Sequence, residues 1–309
     1  MTTRKSAKRS ARVKNFLAMA QSASTTRSYA QDMRHFKANG GKIPATPEIV
    51  ADYISRFAGS LATATLQHRL IAIHRAHIDN GFASPVGDKL VKRTMQGIRR
   101  TYGASKRQRR VHALIKDDLL ELLVLVAKQK PLKAARDKAM LLIGFAGAFR
   151  RSELVALTVD DITPHAHGIE LLIRRSKTDQ EGDGRTVFVP LAKSEDRCPV
   201  IALRAWLESA GIGAGPLFRQ VSRHDRLVNE DALTPQSVAL VVKASMKRAK
   251  GIDAASEVSA HSLRAGFVTE AAMVGMQASV IMGQTGHKSL EMVFRYIRPV
   301  QKRQIQSLL

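Results

Sequence analysis

Cysteine, acidic residues and long apolar runs are scarce in this sequence, and each shortage excludes a class of protein. The 309 residues include one cysteine, Cys198, so neither a disulfide framework nor a cysteine-built zinc site can form. This low cysteine content is typical of a reducing compartment, and we expect a cytoplasmic location. No stretch of about 18 apolar residues occurs, and the basic first residues lack the apolar core of a signal peptide. We therefore expect neither a membrane span nor secretion.

The shortage of acidic residues leaves a large positive surplus. The chain has 50 Lys and Arg against 26 Asp and Glu, a formal net charge of +24. Residues 1–110 hold 22 basic and 5 acidic residues, a net +17, so the first third is the most basic part. Such a surplus repels itself unless an anionic partner binds. Nucleic acid fits better than an anionic membrane, because no Lys-rich helix carries an apolar face with Trp or Phe.

The first part of the chain reads as a helical domain of residues 23–101, preceded by a basic leader of residues 1–22. Apolar periodicity predicts helices over residues 25–38, 46–58, 63–80 and 88–100. Thr46 is the expected N-cap of the second helix, with Pro47 in its first turn. No strand pattern occurs before residue 110. Residues 102–110 lack apolar periodicity, contain four basic residues and read as an interdomain linker.

The second part, residues 111–298, reads as mixed α and β. Predicted strands at residues 169–174 and 185–190 flank a polar turn and form a hairpin. Helices are predicted at residues 116–129, 131–147, 152–157, 198–209, 235–250, 260–274, 277–282 and 290–298. Pro299 is expected to end the last helix, leaving a tail of residues 299–309. The predicted fold is therefore mainly α: an N-terminal helical bundle and a C-terminal α+β domain with a small antiparallel sheet.

Because the chain is so basic, we take a phosphodiester as the expected substrate and ask which residues could act on it. Metal-dependent enzymes hold Mg²⁺ on several carboxylates, but the acidic pairs 117–118 and 160–161 look like the ends of helices or strands. A site without metal needs bidentate Arg, His and Lys, and a protein nucleophile if a covalent intermediate forms. We therefore expect no metal and no other cofactor.

Four short motifs supply such residues, and each is weak evidence alone. Arg150 follows an apolar helix and a glycine break, with Glu153 three residues later; taken alone, a charged surface is the ordinary interpretation of both. Lys177 lies in the hairpin turn, where a solvated lysine is the ordinary interpretation. The remaining motifs are a His-x-x-Arg pair on one helical face and a Gly-His followed by a tyrosine nine residues on, formed by His261, Arg264, His287 and Tyr296.

Taken in this order, the motifs resemble the tyrosine recombinase (phage integrase) family. The resemblance runs from about residue 25 to the C-terminus and is strongest over residues 144–300. The pattern of the first domain is similar to that of the Cre-like subgroup. The resemblance implies a SAM-like core-binding bundle in front and a catalytic domain over residues 111–298.

The resemblance also implies a role for each motif residue. Tyr296 is expected to form a 3′-phosphotyrosyl bond, with His261 beside it as a candidate base. Arg150, Arg264 and His287 are expected to contact the phosphate, Lys177 to protonate the departing 5′ oxygen, and Glu153 to orient the site. The chain departs from the family at Thr285, where many members carry Leu, and we expect this change to affect packing rather than chemistry.

The implied partners are double-stranded DNA with paired inverted-repeat sites, and further copies of the chain in a tetramer that tail residues 299–309 help to assemble. The implied setting is bacterial or phage-encoded and nucleoid-associated, with neither metal nor ATP required. Two alternatives remain open: type IB topoisomerase-like relaxation, and DNA binding without catalysis. Candidate base-contacting residues are His68, Arg69, Arg223 and Arg226, for which phosphate contact or simple exposure is the alternative.

The charge distribution predicts how DNA affinity responds to salt. If the two domains clamp the duplex and neutralise about eight phosphates, log K should fall with log salt with a slope of about −7. Titration of a labelled duplex at several salt concentrations measures this slope. A slope near zero would contradict the clamp.

Overall fold

The computed structural model describes residues 12, 16, 22–103, 112–174 and 184–303. The chain divides into two compact units, Met1–Arg109 and Arg110–Leu309. Helices dominate and the sheets are small and antiparallel, which confirms the predicted mainly α fold. Among the described residues, no helix is both long and apolar enough to cross a membrane. Most of the predicted leader at residues 1–22 and most of the predicted linker at residues 102–110 lie outside the described residues.

In the part of the first unit that the structure describes, four α-helices surround one apolar core. They are α1 (Ala23–Ala38), α2 (Pro47–Arg56), α3 (Thr63–Asp79) and α4 (Lys89–Tyr102). Their core is built from aromatic and branched side chains, chiefly Phe36, Val50, Tyr53, Ile54, Leu66, Leu70, Ile73, Val91 and Met95. Asp88 caps α4 by accepting a hydrogen bond from the Leu90 N–H at 2.7 Å. Thr46, the expected cap of α2, makes no capping hydrogen bond, and Pro47 alone marks the start of that helix.

The second unit begins with helices and then forms two sheets. The helices are α5 (Lys116–Val126), α6 (Pro131–Ala146) and α7 (Arg151–Ala156). A three-stranded antiparallel sheet follows, in the order β1 (Ile162–His165), β2 (Gly168–Ile173) and β3 (Arg185–Pro190). The predicted hairpin is β2 and β3, which pair from Gly168 and Pro190 to Ile173 and Arg185.

The rest of the second unit is a helix, a hairpin and four more helices. These are α8 (Pro199–Ala210), β4 (Arg219–Val221), β5 (Leu227–Ala232), α9 (Pro235–Glu257), α10 (His261–Met273), α11 (Ala278–Thr285) and α12 (Leu290–Arg303). Strands β1, β4 and β5 were not predicted. In β1 and β5 nearly every side chain is exposed, so they lack the alternation of apolar and polar residues that marks a half-buried strand.

One helix ends where predicted and another is longer than predicted. In α9 the helical conformation breaks at Gly251, whose φ of +86° a glycine adopts without strain, so its first segment ends at Lys250 as predicted and a second helical segment runs on to Glu257. Helix α12 continues through Pro299 to Arg303, so the prediction that Pro299 ends it was wrong. A proline inside a helix removes one backbone hydrogen bond and clashes with one earlier carbonyl, and a helix can continue past it with a kink. The last part of the predicted tail, residues 304–309, lies outside the described residues.

Helix α10 crosses the second unit in close contact with its neighbours. Its Gly266 lies directly against the backbone of Leu114, where an added Cβ would overlap the Leu114 carbonyl oxygen. On its other side, Val268, Ala271 and Ala272 of α10 form a small buried cluster with Ile281 and Val293. This cluster joins α10, α11 and α12 and thereby fixes the helix that carries Tyr296 relative to the helix that carries His261.

We predict that Gly266→Ala destabilises the protein, because the new methyl group meets a backbone atom that cannot move aside. The free energy of unfolding should fall by about 3 kcal/mol, at the upper end of overpacking costs. Urea denaturation measures the change. Gly283→Ala is the matched control: Gly283 is exposed on helix α11, and an added Cβ there meets nothing within 4 Å. Equal stability of the two variants would refute the close approach at Gly266.

Candidate active site

Arg150 and Glu153 are held together at the start of α7. The Glu153 carboxylate accepts a hydrogen bond from the Arg150 backbone N–H at 2.9 Å and another from Arg150 Nη1 at 2.6 Å. The Glu153 side chain is almost fully buried, while that of Arg150 remains 18% exposed. The charge of Arg150 is therefore compensated and its orientation fixed, with part of the guanidinium still accessible.

A second basic residue, Arg185, joins Arg150 and Glu153 and was not predicted. It begins β3, and its Nη2 lies 3.4 Å from the second oxygen of Glu153. Its Nη1 donates to the Gln284 carbonyl at 3.0 Å. Burial lowers the pKa of Arg185, with Arg150 adding to the shift and Glu153 opposing it. Nothing in the sequence marks this residue, because an Arg at the edge of a polar turn reads as a solvated cation.

Arg264 and His287 form the buried centre of the site. Arg264 is 1% exposed; its Nη1 donates to the Ala148 carbonyl at 2.9 Å and its Nη2 lies 3.1 Å from His287 Nε2. Burial, followed by the charge of Arg264, lowers the pKa of His287 to about 4, so its ring is neutral at neutral pH. Burial also lowers the pKa of Arg264 to about 10, which leaves it charged.

His261 and Tyr296 meet at the edge of this cluster. The Nε2 atom of His261 lies 2.8 Å from the Tyr296 hydroxyl. The Tyr296 ring also lies beside His287, with 6.3 Å between ring centroids. His261 is exposed as a residue, yet burial of its ring lowers its pKa, and Arg264 and Arg150 add to the shift. A neutral imidazole at this distance is able to accept the phenol proton.

Thr285 contacts this site, contrary to the expectation that it would affect only packing. Its hydroxyl oxygen lies 2.7 Å from His287 Nδ1. This contact could not be predicted from the sequence, because a buried helical threonine usually bonds only to its own backbone.

The cluster as a whole is cationic. Three guanidiniums, from Arg150, Arg185 and Arg264, surround one buried carboxylate, and both histidines have lowered pKa values. Guanidiniums positioned in this way favour a bound anion such as a phosphodiester. Among the residues that the structure describes, no three His, Cys, Asp or Glu side chains are grouped to hold a metal ion. Lys177, the predicted hairpin lysine, lies outside the described residues.

The surroundings of Arg69 argue against the prediction that it contacts bases. Arg69 is 9% exposed and faces the interior of the first unit. Its Nη1 donates to the Tyr53 hydroxyl at 3.1 Å, its Nε lies 3.7 Å from Asp32, and its guanidinium lies 5.9 Å from the centre of the Phe57 ring. A side chain held in this way stabilises the helical bundle. Helical periodicity places Arg69 beside the apolar stripe, but an arginine in a basic chain reads first as surface charge.

The other three base-contacting candidates remain predictions. His68 is 44% exposed and its Nδ1 lies 2.6 Å from Asp32. Arg223 and Arg226 are exposed in the turn between β4 and β5, where Arg223 Nε donates to His224 at 3.0 Å. All three are accessible to a ligand, and nothing in their contacts separates base recognition from phosphate contact.

Comparison with known proteins agrees with this architecture. The family model for the phage integrase family matches residues 112–303. An integrase/recombinase XerD homologue from Selenomonas ruminantium is 40% identical over 258 residues, covering 82% of this chain and 74% of the relative. The Cre recombinase of Escherichia phage P1 is 25% identical over 270 residues, covering 82% and 76%.

Solved structures of recombinases share the fold. XerH recombinase bound to a palindromic difH substrate has a TM-score of 0.63 at 20% identity, covering 84% of this chain and 70% of that one. A λ integrase fragment, bound as a dimer to a core site, has a TM-score of 0.60 at 17% identity and covers 96% of each chain. The fold is that of a tyrosine recombinase. The chain belongs to the phage integrase family.

We predict that Glu153→Gln destabilises the second unit, because it removes the buried charge that two guanidiniums share. Breaking a buried ion pair from one side costs about 3 kcal/mol in the free energy of unfolding. Urea denaturation measures it. Glu121→Gln provides the control, since Glu121 is 48% exposed and pairs with Lys250 at the surface. If both variants unfold at the same urea concentration, Glu153 is not the shared counter-charge described above.

Proposed function

We propose that this protein is a site-specific DNA recombinase that cuts and rejoins DNA strands through a 3′-phosphotyrosyl intermediate on Tyr296. The observation that carries the proposal is the 2.8 Å contact between Tyr296 and a histidine of lowered pKa, beside three buried or half-buried arginines. An unassisted tyrosine, with a pKa of about 10, is a poor nucleophile. A neighbouring base and surrounding positive charge remove that limitation.

The first step is an in-line displacement at phosphorus. His261 Nε2 takes the phenol proton while the Tyr296 oxygen forms a bond to phosphorus and the bond to the 5′ oxygen breaks. The departing 5′ oxygen then needs a proton, and the family resemblance assigns that role to Lys177. The charge of the transition state spreads over the non-bridging oxygens, so catalysis depends mainly on positioned positive charge. Arg150 and Arg264 are the residues that we assign to those oxygens, with His287 beside them and Glu153 orienting Arg150.

The covalent ester preserves the energy of the broken bond. A 5′ hydroxyl from the same or another strand attacks the phosphotyrosine, releases Tyr296 and reseals DNA without ATP or a metal ion. The proposed substrate is double-stranded DNA with paired inverted-repeat sites. The proposed assembly is a tetramer on two such sites, in which residues 299–309 contact a neighbouring copy. XerH and λ integrase fold similarly and have been solved on DNA, which supports a DNA partner.

The basic first unit fits the same proposal. Residues 1–110 carry +17, which suits a core-binding domain that grips the phosphate backbone. We propose that the helical bundle of residues 23–101 and the catalytic domain of residues 111–298 bind the duplex together, linked by basic residues 102–110. Such an enzyme works in the cytoplasm on nucleoid DNA.

We predict that Tyr296→Phe binds a DNA site almost as tightly as the wild type and forms no covalent adduct. Losing one hydroxyl removes the nucleophile and leaves the positive charge unchanged. A nicked suicide substrate, derived from a site selected out of random DNA, traps the adduct on a denaturing gel, with EDTA present throughout. Tyr29→Phe, which removes a phenol hydroxyl in the other unit, should trap DNA as the wild type does. Adduct formation by Tyr296→Phe would refute the assigned nucleophile.

The same reagents separate the alternatives. A type IB topoisomerase-like enzyme relaxes supercoiled plasmid that lacks the selected site, whereas a recombinase exchanges strands between two sites. A DNA-binding protein without catalysis forms no adduct even as the wild type.

A further inference from the structure

The Thr285 hydroxyl lies between a helix carbonyl and the imidazole of His287. Thr285 is fully buried at the end of α11. Its Oγ1 donates to the Ile281 carbonyl at 2.7 Å and lies 2.7 Å from His287 Nδ1. Both distances are those of well-formed hydrogen bonds.

The chemistry of a hydroxyl decides which partner donates. A threonine hydroxyl has one hydrogen and two acceptor lone pairs. The Ile281 carbonyl accepts only, so the hydrogen of Thr285 is used there. His287 Nδ1 must therefore carry a proton and donate it to Thr285 Oγ1.

The contact made by the other nitrogen of His287 also indicates that the proton is on Nδ1. Its Nε2 lies 3.1 Å from Arg264 Nη2, and a guanidinium nitrogen only donates. In a neutral ring with its proton on Nδ1, Nε2 has a free lone pair that accepts this bond. The opposite tautomer would place one donor against another at Arg264 and would require the Thr285 hydroxyl to leave the Ile281 carbonyl.

We propose that Thr285 is a positioning residue: its hydroxyl holds the proton of His287 on Nδ1, so that Nε2 accepts from Arg264 and aims that guanidinium. The link to catalysis rests on the proposed function, which assigns Arg264 to the scissile phosphate. The link to the tautomer rests only on the five atoms described above, which belong to Thr285, Ile281, His287 and Arg264.

The groups around His287 favour a neutral ring, which exists as one of two tautomers. The charged and titratable groups near it are Arg264, Arg150, Arg185, His261 and Tyr296. Three of these are cations, and together with burial they oppose a second proton on His287. A neutral imidazole has two tautomers, and a nearby acceptor such as Thr285 Oγ1 selects between them.

The tautomer is measured directly on the full-length protein without DNA. Long-range ¹H–¹⁵N spectra of protein labelled in its histidine rings distinguish a protonated Nδ1 from a protonated Nε2, with His287→Gln used to assign the signal. We expect the wild type and Thr285→Ser to show the proton on Nδ1. Thr285→Val, which keeps the shape but lacks the hydroxyl, should shift the population towards Nε2. Thr285→Ala tests the same loss if the valine variant does not fold.

The catalytic arm measures the first-order rate of suicide-substrate cleavage at saturating DNA. We expect Thr285→Val to cleave between about 10- and 100-fold more slowly, the cost of a small misplacement at the reacting centre, with the dissociation constant for DNA changed less than about twofold. Thr285→Ser should restore the rate. Thr269→Val is the matched control, because the Thr269 hydroxyl donates to the Ala265 carbonyl at 2.8 Å in the same helical manner.

Each outcome has a defined meaning. A wild-type ring that carries its proton on Nε2, or a Thr285→Val ring whose tautomer does not change, overturns the inference. A changed tautomer with an unchanged cleavage rate overturns the positioning role. If the wild-type protein cleaves no DNA, the proposed function fails while the spectra still decide whether Thr285 sets the tautomer.

Discussion

Crowding of positive charge in a partly buried site is the constraint on which the catalytic unit depends. Arg150, Arg185 and Arg264 converge near a single buried carboxylate, Glu153. Like charges in a medium of reduced dielectric repel strongly, and each guanidinium also loses water when it is buried. The fold therefore has to hold the arginines against their own repulsion. It does so with backbone carbonyls as well as with Glu153: Arg264 binds the Ala148 carbonyl and Arg185 the Gln284 carbonyl.

Backbone geometry near the site follows from this demand. Ala148 has a φ of +49°, a conformation that non-glycine residues rarely adopt, and its carbonyl receives Arg264. Gly286 has a φ of +63°, and a Cβ there would come within 2.7 Å of Arg185 Nε. The turn before His287 thus needs glycine for two reasons, conformation and space. The motifs Gly-Ala-Phe-Arg and Gly-His are the segments of the sequence that form these two turns, and the turns bring carbonyls and cations together.

The sequence was informative where a residue belongs to a compact motif and uninformative where its role depends on a distant contact. Arg150, His261 with Arg264, and His287 with Tyr296 could be found from local spacing, and the structure brings them together with Glu153. Arg185 and Thr285 escaped notice because their partners lie far along the chain or look like ordinary helical bonds. The burial of Arg69 could not be predicted either, since a charged side chain on a helix gives no local sign that an aspartate and a tyrosine will enclose it. Pro299 shows that a proline inside a helix lowers the stability of that helix without necessarily ending it.

The same crowding explains why two histidines can have different roles in one site. Burial and neighbouring cations lower the pKa of both, so both are neutral at neutral pH. Each neutral ring has one nitrogen with a free lone pair. The group that contacts this nitrogen determines what the lone pair does. His261 directs its Nε2 to the Tyr296 hydroxyl, where the proposed mechanism uses the lone pair as a base. His287 directs its Nε2 to Arg264, where we propose that the lone pair orients the guanidinium. On this proposal a cationic pocket provides a base and an orienting acceptor from the same residue type, because the positive charge that would attract a phosphodiester also keeps protons off the imidazoles.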